Sequence, residues 1–395
     1  MTRLRVVFVL LGAAEATILP FFALFLEERG FGAKGIGVVL ALVSLAAFAA
    51  SPLWGWSADR LLGSERTLAL AAGGTAVLAL LLFLHGRLVL ALVAIALFLL
   101  RAPLVALVDA LALDWLGASG RGGYGGIRLW MSAGWAVAVV AWGAVLELAG
   151  LGVIPALYSA AILVVALWAL VGLEPGPRTN AARVHAEVSW SKQIRSLSPA
   201  FVGFLLSLLL LGATFTATFN FLALRIEGLG GGALLVGVAA SLQALAEIPA
   251  MAWTGRLTRL MTHRGLFVTG CAIHVAVFAA WAVISDPVAI TLLKLVIGVG
   301  FALTYVGTVV IADDLVPVHL RATGQGLAKA ASFGLAPVLG TLGGGVVYDV
   351  FGPRAMFFAA AAIAVVAAGI AWISVSEPRR RVVEVEAASS VDPGA

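Results

Sequence analysis

The sequence predicts an all-α integral membrane protein, with twelve transmembrane helices in two six-helix bundles. Composition is the first observation behind this. Of 395 residues, 62% are hydrophobic and 11% charged, with a mean hydropathy of +1.09, whereas soluble domains run about 45–50% apolar and about 25% charged. The second is run length. The apolar stretches approach the ~20 residues that cross a bilayer as a helix, and they lack the ~10-residue alternation of a membrane β-barrel. The third is a single long polar interruption, which divides the stretches into six and six.

The expected spans lie near 5–27, 34–57, 66–85, 88–112, 128–148, 151–172, 199–224, 233–255, 265–284, 288–312, 323–348 and 355–375. The domains follow: an N-terminal bundle over 1–173, a cytoplasmic linker over 174–198, a C-terminal bundle over 199–375, and a disordered cytoplasmic tail over 376–395. The first run continues through Glu15 and Pro20 to Leu26, so it reads as a retained span and not as a cleaved leader.

With both termini cytoplasmic, 17 of the 25 Lys and Arg residues fall on the inner side and five on the outer side. That asymmetry is the positive-inside signal and puts the linker in the cytoplasm; the membrane expected is the plasma membrane. The asymmetry also accounts for the net charge of +5 and the pI of about 9.8 without nucleic acid. Cys271 is the one cysteine and cannot form an intrachain disulfide. No phosphate-binding loop or metal-ligand spacing is present, so no enzyme, cofactor or metal is expected. The partners expected are a small-molecule substrate, protons and the lipid bilayer, with the chain a monomer.

Gly55-Trp-Ser-Ala-Asp59-Arg60, followed by Arg66, resembles the signature between spans 2 and 3 of the major facilitator superfamily. A weaker echo lies at Trp253–Gly265. The resemblance implies a conformational latch at Gly55, Asp59 and Arg60, with the glycine allowing close helix packing. A subgroup resemblance follows from Ala102-Pro-Leu-Val-Ala-Leu-Val-Asp109-Ala-Leu and Tyr124-Gly-Gly-Ile-Arg128-Leu-Trp-Met-Ser132-Ala-Gly134-Trp135. These blocks are similar to those of the lactose permease, phenylpropionate permease and nucleoside–proton symporter group. That resemblance implies that Arg128 donates to substrate hydroxyls and Trp135 stacks on a ring, with Ser132 between them. Spacings of four and seven put all three on one helical face. The subgroup's helix 4 glutamate falls near Ala106 here, which leaves Asp109 the nearest carboxylate.

Ionisable groups inside a bilayer cost about 2.5–3.5 kcal/mol each on insertion scales, which marks them as functional candidates. Glu15, Arg101, Glu247, His274 and Lys294 fall inside spans, and Gln243 lies one turn before Glu247. Together with Asp109 these make the proton-coupling shortlist, Glu247 first and Glu15 second. Asn220 and Gln243 join Arg128, Ser132 and Trp135 as substrate candidates. Structural readings stand beside them: an ion pair for Glu15 and Arg101, a satisfied core histidine for His274, a packed neutral Glu247, and a snorkelling Lys294 or Lys329. The function expected is secondary transport of a sugar, nucleoside or aromatic acid by proton symport with alternating access. The alternatives are proton-coupled efflux of hydrophobic compounds, or a non-transporting receptor or assembly factor of the same fold.

Overall fold

The computed structural model describes residues 2–119, 124–173, 197–317 and 320–375. Most of the expected linker and the whole tail lie outside them. Among the described residues there is no strand, and eleven helical stretches are long and apolar enough to cross a membrane. Ten match single expected spans: α1 (Thr2–Glu28), α2 (Ala33–Leu62), α3 (Ser64–Phe83), α4 (Arg87–Leu116), α5 (Gly126–Ala149), α6 (Leu151–Val171), α7 (Pro199–Glu227), α8 (Ala233–Leu260), α9 (His263–Val283) and α10 (Pro287–Leu315).

The eleventh, Thr323–Ser374, has 52 residues, far more than one crossing needs. Gly352 interrupts it at φ 83°, a left-handed conformation that glycine adopts freely, and Pro353 follows. The two sides run in opposite directions. Residues 323–351 (α11) lie parallel to α7, since Gly340 packs on Ala213 and Tyr348 stacks on Phe221 at 5.4 Å. Residues 353–374 (α12) run back, since Ser207 donates to the Ala367 carbonyl at 2.7 Å and Gly203 meets Ser374. The twelve expected spans are therefore present, the last two as a hairpin about Gly352.

Two helices break mid-way. α1 turns at 19–21 around Pro20, and α4 turns at Ala102–Pro103. Proline has no N–H and clashes with the carbonyl one turn back, so the helical ladder is interrupted at each. Glu15 and Arg101 sit just before these breaks.

The halves repeat one another 200 residues apart. Leu11-Gly12-Ala13, Phe21, Ala23-Leu24, Glu27, Gly30, Gly32-Ala33 and Gly37-Val38 recur as Leu211-Gly212-Ala213, Phe221, Ala223-Leu224, Glu227, Gly230, Gly232-Ala233 and Gly237-Val238. Gly30 and Gly230 both adopt positive φ, at 82° and 84°. The repeat shapes the seam between halves. A Cβ on Gly37 would collide with the Thr341 carbonyl of α11, and one on Gly237 with the Val139 carbonyl of α5. α2 thus meets α11 and α5 meets α8, backbone against backbone. Both contacts lie away from the face that carries the termini, toward what we call the far face. Ser241 adds a hydrogen bond to the Ala136 carbonyl at 2.8 Å across the α5–α8 seam.

Candidate functional site

Three polar assemblies gather most of the candidates. The first is in the C-terminal half. Gly298 of α10 faces α8 so closely that a Cβ there would lie 2.6 Å from the Gln243 carbonyl oxygen. That approach lets Lys294, one turn away, reach the Gln243 side chain. Its Nζ donates to Gln243 Oε1 at 2.7 Å, and Gln243 Nε2 donates to Glu247 Oε1 at 2.8 Å. Lys294 is buried, with its ammonium 5.3 Å from the Phe219 ring centre and 5.6 Å from that of Trp281. Aromatic faces attract a desolvated cation. The lysine therefore points inward and does not snorkel toward the far face. Lys294 and Gln243 are buried while Glu247 is partly exposed, so the string runs from a sealed end to a more accessible one.

The second assembly joins α1 to α4. Glu15 is buried and forms an ion pair with Arg101, next to the buried Tyr158 of α6. The Arg101 guanidinium also lies 4.9 Å from the Phe98 ring centre. The third joins α4 to α5. Arg128 Nε lies 3.5 Å from Asp109 Oδ1, so the two form an ion pair between α4 and α5. Tyr124, the first residue of the helix that continues as α5, hydrogen-bonds the same aspartate. Lys329 of α11, in the other half, lies within electrostatic reach of Asp109.

A cavity of about 130 Å³ opens between α7, α9, α10 and α11. Phe215, Phe301, Tyr305 and Phe333 form an aromatic wall, with successive ring centres 5.0, 5.9 and 6.4 Å apart. His274 closes it from α9. Its Nδ1 is 2.8 Å from the Gly270 carbonyl and its ring stands edge-on to Phe215 and Phe278. A run of π-helix at Ala330–Leu335 forms part of the α11 wall; such extra-residue turns are frequent at functional sites.

The remaining candidates stand apart from these groups. Trp135 and Ser132 are half-buried, and the Trp135 backbone packs on Gly12 of α1. Asn220 donates to its own helix, at the Thr216 carbonyl, 2.9 Å away. Thr214, Thr216 and Thr218 bond back in the same way, at Leu211, Gly212 and Thr214. Gly55 has open space within 4 Å, and Asp59 and Arg60 are exposed on a π-helical turn. The close packing expected at Gly55 itself is not seen in this conformation, although the neighbouring Trp54 Nε1 donates to the Leu99 carbonyl of α4 at 2.9 Å. Sequence reasoning misses the aromatic wall, although Phe301 and Tyr305 are four residues apart on one face of α10. It misses altogether the carboxylates Glu147 and Asp349, which act at the seam.

Membrane-length helices with polar groups buried among them define an integral membrane protein, and the family and relatives it matches are transporters, not enzymes. The chain belongs to the MFS_1 like family, whose model matches residues 1–359. It is 28% identical over 343 residues to a maltose permease of Geobacillus stearothermophilus, an alignment covering 85% of this chain and 84% of the permease. Among solved structures it resembles a point mutant of the nucleoside transporter NupG, with a TM-score of 0.84 at 18% identity over 95% of this chain and 99% of NupG. It also resembles a bacterial homologue of the human lysosomal transporter Spinster in an inward-facing, occupied conformation. There the TM-score is 0.69 at 13% identity, covering 94% of this chain and 95% of the homologue. The last two likenesses are of fold.

Proposed function

We propose that this transporter carries a sugar or nucleoside across the plasma membrane by proton symport, with both termini in the cytoplasm and the chain acting as a monomer. The observation that carries the reading is the string from Lys294 through Gln243 to Glu247. It supplies a carboxyl group at mid-span, backed by a cation and more accessible at its other end. A group that gains and loses a proton as its surroundings rearrange is what coupling requires. Substrate contact falls to the aromatic wall of the α7–α11 cavity and to Arg128 and Trp135 of the other half. Ring faces suit the apolar side of a sugar or base, and a guanidinium fork suits its hydroxyls.

The packing at the seam supports alternating access. The halves pack backbone against backbone at the far face and the cavity lies nearer the terminal face, which, with cytoplasmic termini, supports an inward-facing reading of this conformation. Rocking about a midplane site would exchange the two. Proteoliposomes given an inward proton gradient and either labelled maltose or labelled uridine test the reading. Accumulation of one of them above its outside concentration, abolished by a protonophore, is expected. Accumulation that ignores the protonophore would reject proton coupling.

A further inference from the structure

Lys294 does not touch the more accessible end of the string, yet it determines what that end can do. An ammonium group has three donors and no acceptor, whereas a side-chain amide has an oxygen that accepts and an NH₂ that donates. Facing Lys294 Nζ at 2.7 Å, the Gln243 amide has one permitted orientation, oxygen toward the lysine. Its NH₂ must then face Glu247, 2.8 Å away. The polarity of the string is fixed by chemistry, whichever way the amide is first drawn.

We infer that Lys294 is a positioning residue for Glu247, acting through the Gln243 amide to hold Glu247 Oε1 as a hydrogen-bond acceptor and to leave Oε2 as the atom that takes the proton. The inference rests on the reading of Glu247 as the proton carrier and adds a direction to it. Two consequences follow for the site. Gln243 has spent its oxygen and one N–H on the string, so it offers substrate at most one remaining N–H. The proton on Glu247 enters and leaves on the more accessible side, away from Lys294.

Other charged groups on the surrounding helices are engaged elsewhere. His274 on α9 is at the Gly270 carbonyl, and Arg225 on α7 donates to the Ile284 carbonyl at 3.2 Å. Arg128 on α5 pairs with Asp109, and Glu15 on α1 pairs with Arg101. On α5 and α1, Glu147, Glu27 and Glu28 lie at the far-face ends; on α10, Asp286 begins the helix while Asp313 and Asp314 end it on Arg321 and His263. Lys294 is therefore the cation that addresses Gln243.

The experiment is an infrared pH titration of the purified full-length protein, which needs no substrate. The carboxylic-acid C=O band of Glu247 is assigned by its loss in Glu247→Gln. Lys294→Met and Gln243→Leu are each expected to shift its appearance about one pH unit upward, a tenfold change, because each removes favourable contact to the carboxylate. The double variant is expected to shift it no further than either single change, and Lys294→Arg to restore the native profile. An unmoved band in Lys294→Met, or shifts that add in the double variant, would overturn the inference. Additive shifts mean the lysine acts through its charge alone. Failure of the proton-carrier reading is seen separately, as uphill accumulation by Glu247→Gln in proteoliposomes.

Discussion

Glu147 at the far-face end of α5 caps the N-terminus of α8 in the opposite half, its Oε2 accepting from the Leu234 N–H at 3.2 Å. The repeat supplies the counterpart. Leu234 corresponds to Lys34, 200 residues earlier, and the Lys34 N–H donates to Asp349 Oδ1 of α11 at 3.4 Å. Gly232 and Gly32 face these same two carboxylates. Each half thus presents a helix N-terminus with free N–H groups, and each receives a carboxylate from the other half. A negative charge at a helix N-terminus contributes about 0.3–1 kcal/mol when exposed, so the two caps can hold the far face shut without preventing it from opening.

Replacing Glu147 with Ala is expected to shift the protein toward the conformation open at the far face. At about 1 kcal/mol per cap the shift in the closed-to-open ratio is about fivefold. Spin-label distances between Glu28 and Leu229 should broaden toward longer values. An unchanged distribution would mean the cap has no role in closure.

Gly37 and Gly237 should tolerate no side chain in the closed state, because a Cβ at either meets a carbonyl oxygen of the opposite half. Gly37→Leu and Gly237→Leu are expected to remain folded, to lose transport and to be open to thiol reagents at cysteines placed on the far-face ends of α5 and α11. Native transport by Gly237→Leu would contradict the packing.

The Glu15–Arg101 pair has a counterpart that explains it. Their equivalents 200 residues on are Phe215 and Phe301, whose rings stack at 5.0 Å in the cavity wall. One junction between helices is held by charge in the first half and by aromatic contact in the second. Removing one member of a buried ion pair strands the other, which typically destabilises by about 3–5 kcal/mol, whereas an apolar replacement of both is often neutral. Glu15→Ala and Arg101→Ala should each lower the melting temperature markedly. The double change Glu15→Phe with Arg101→Phe should recover much of the loss. A double variant as unstable as either single one would show that the halves are not interchangeable here.

Gly298→Val should separate α10 from α8, since the Gln243 carbonyl and the Ala246 methyl leave no room, the latter 2.9 Å from a Cβ at 298. Lys294 would then lose its reach to Gln243. Proton-driven uptake is expected to fall at least as far as in Lys294→Met, while Gly343→Val, where nothing lies within 4 Å, should leave uptake near native.

Much of the fold is legible in the sequence because the membrane imposes it. Backbone groups must be paired inside the helix, so span length and apolarity alone locate the crossings. The Gly352 reversal is legible as a Gly-Pro step between two apolar runs. The site is legible in part. Glu247, Gln243 and Lys294 stand out as polar groups at mid-span, but their joining depends on Gly298, whose role is the absence of a side chain. Asp109 and Arg128 lie on different helices, and only the crossing of α4 and α5 brings them together. Glu147 and Asp349 escape notice because they sit at helix ends, where charge is ordinary and only a partner in the other half gives it meaning.

The central claim is that Glu247 carries the coupled proton, and transport by Glu247→Gln tests it most directly. Proteoliposomes bearing this variant are expected to exchange labelled uridine or maltose across the membrane at a measurable rate, yet to accumulate neither when a proton gradient is imposed. Accumulation against the substrate gradient at the wild-type level would contradict the account.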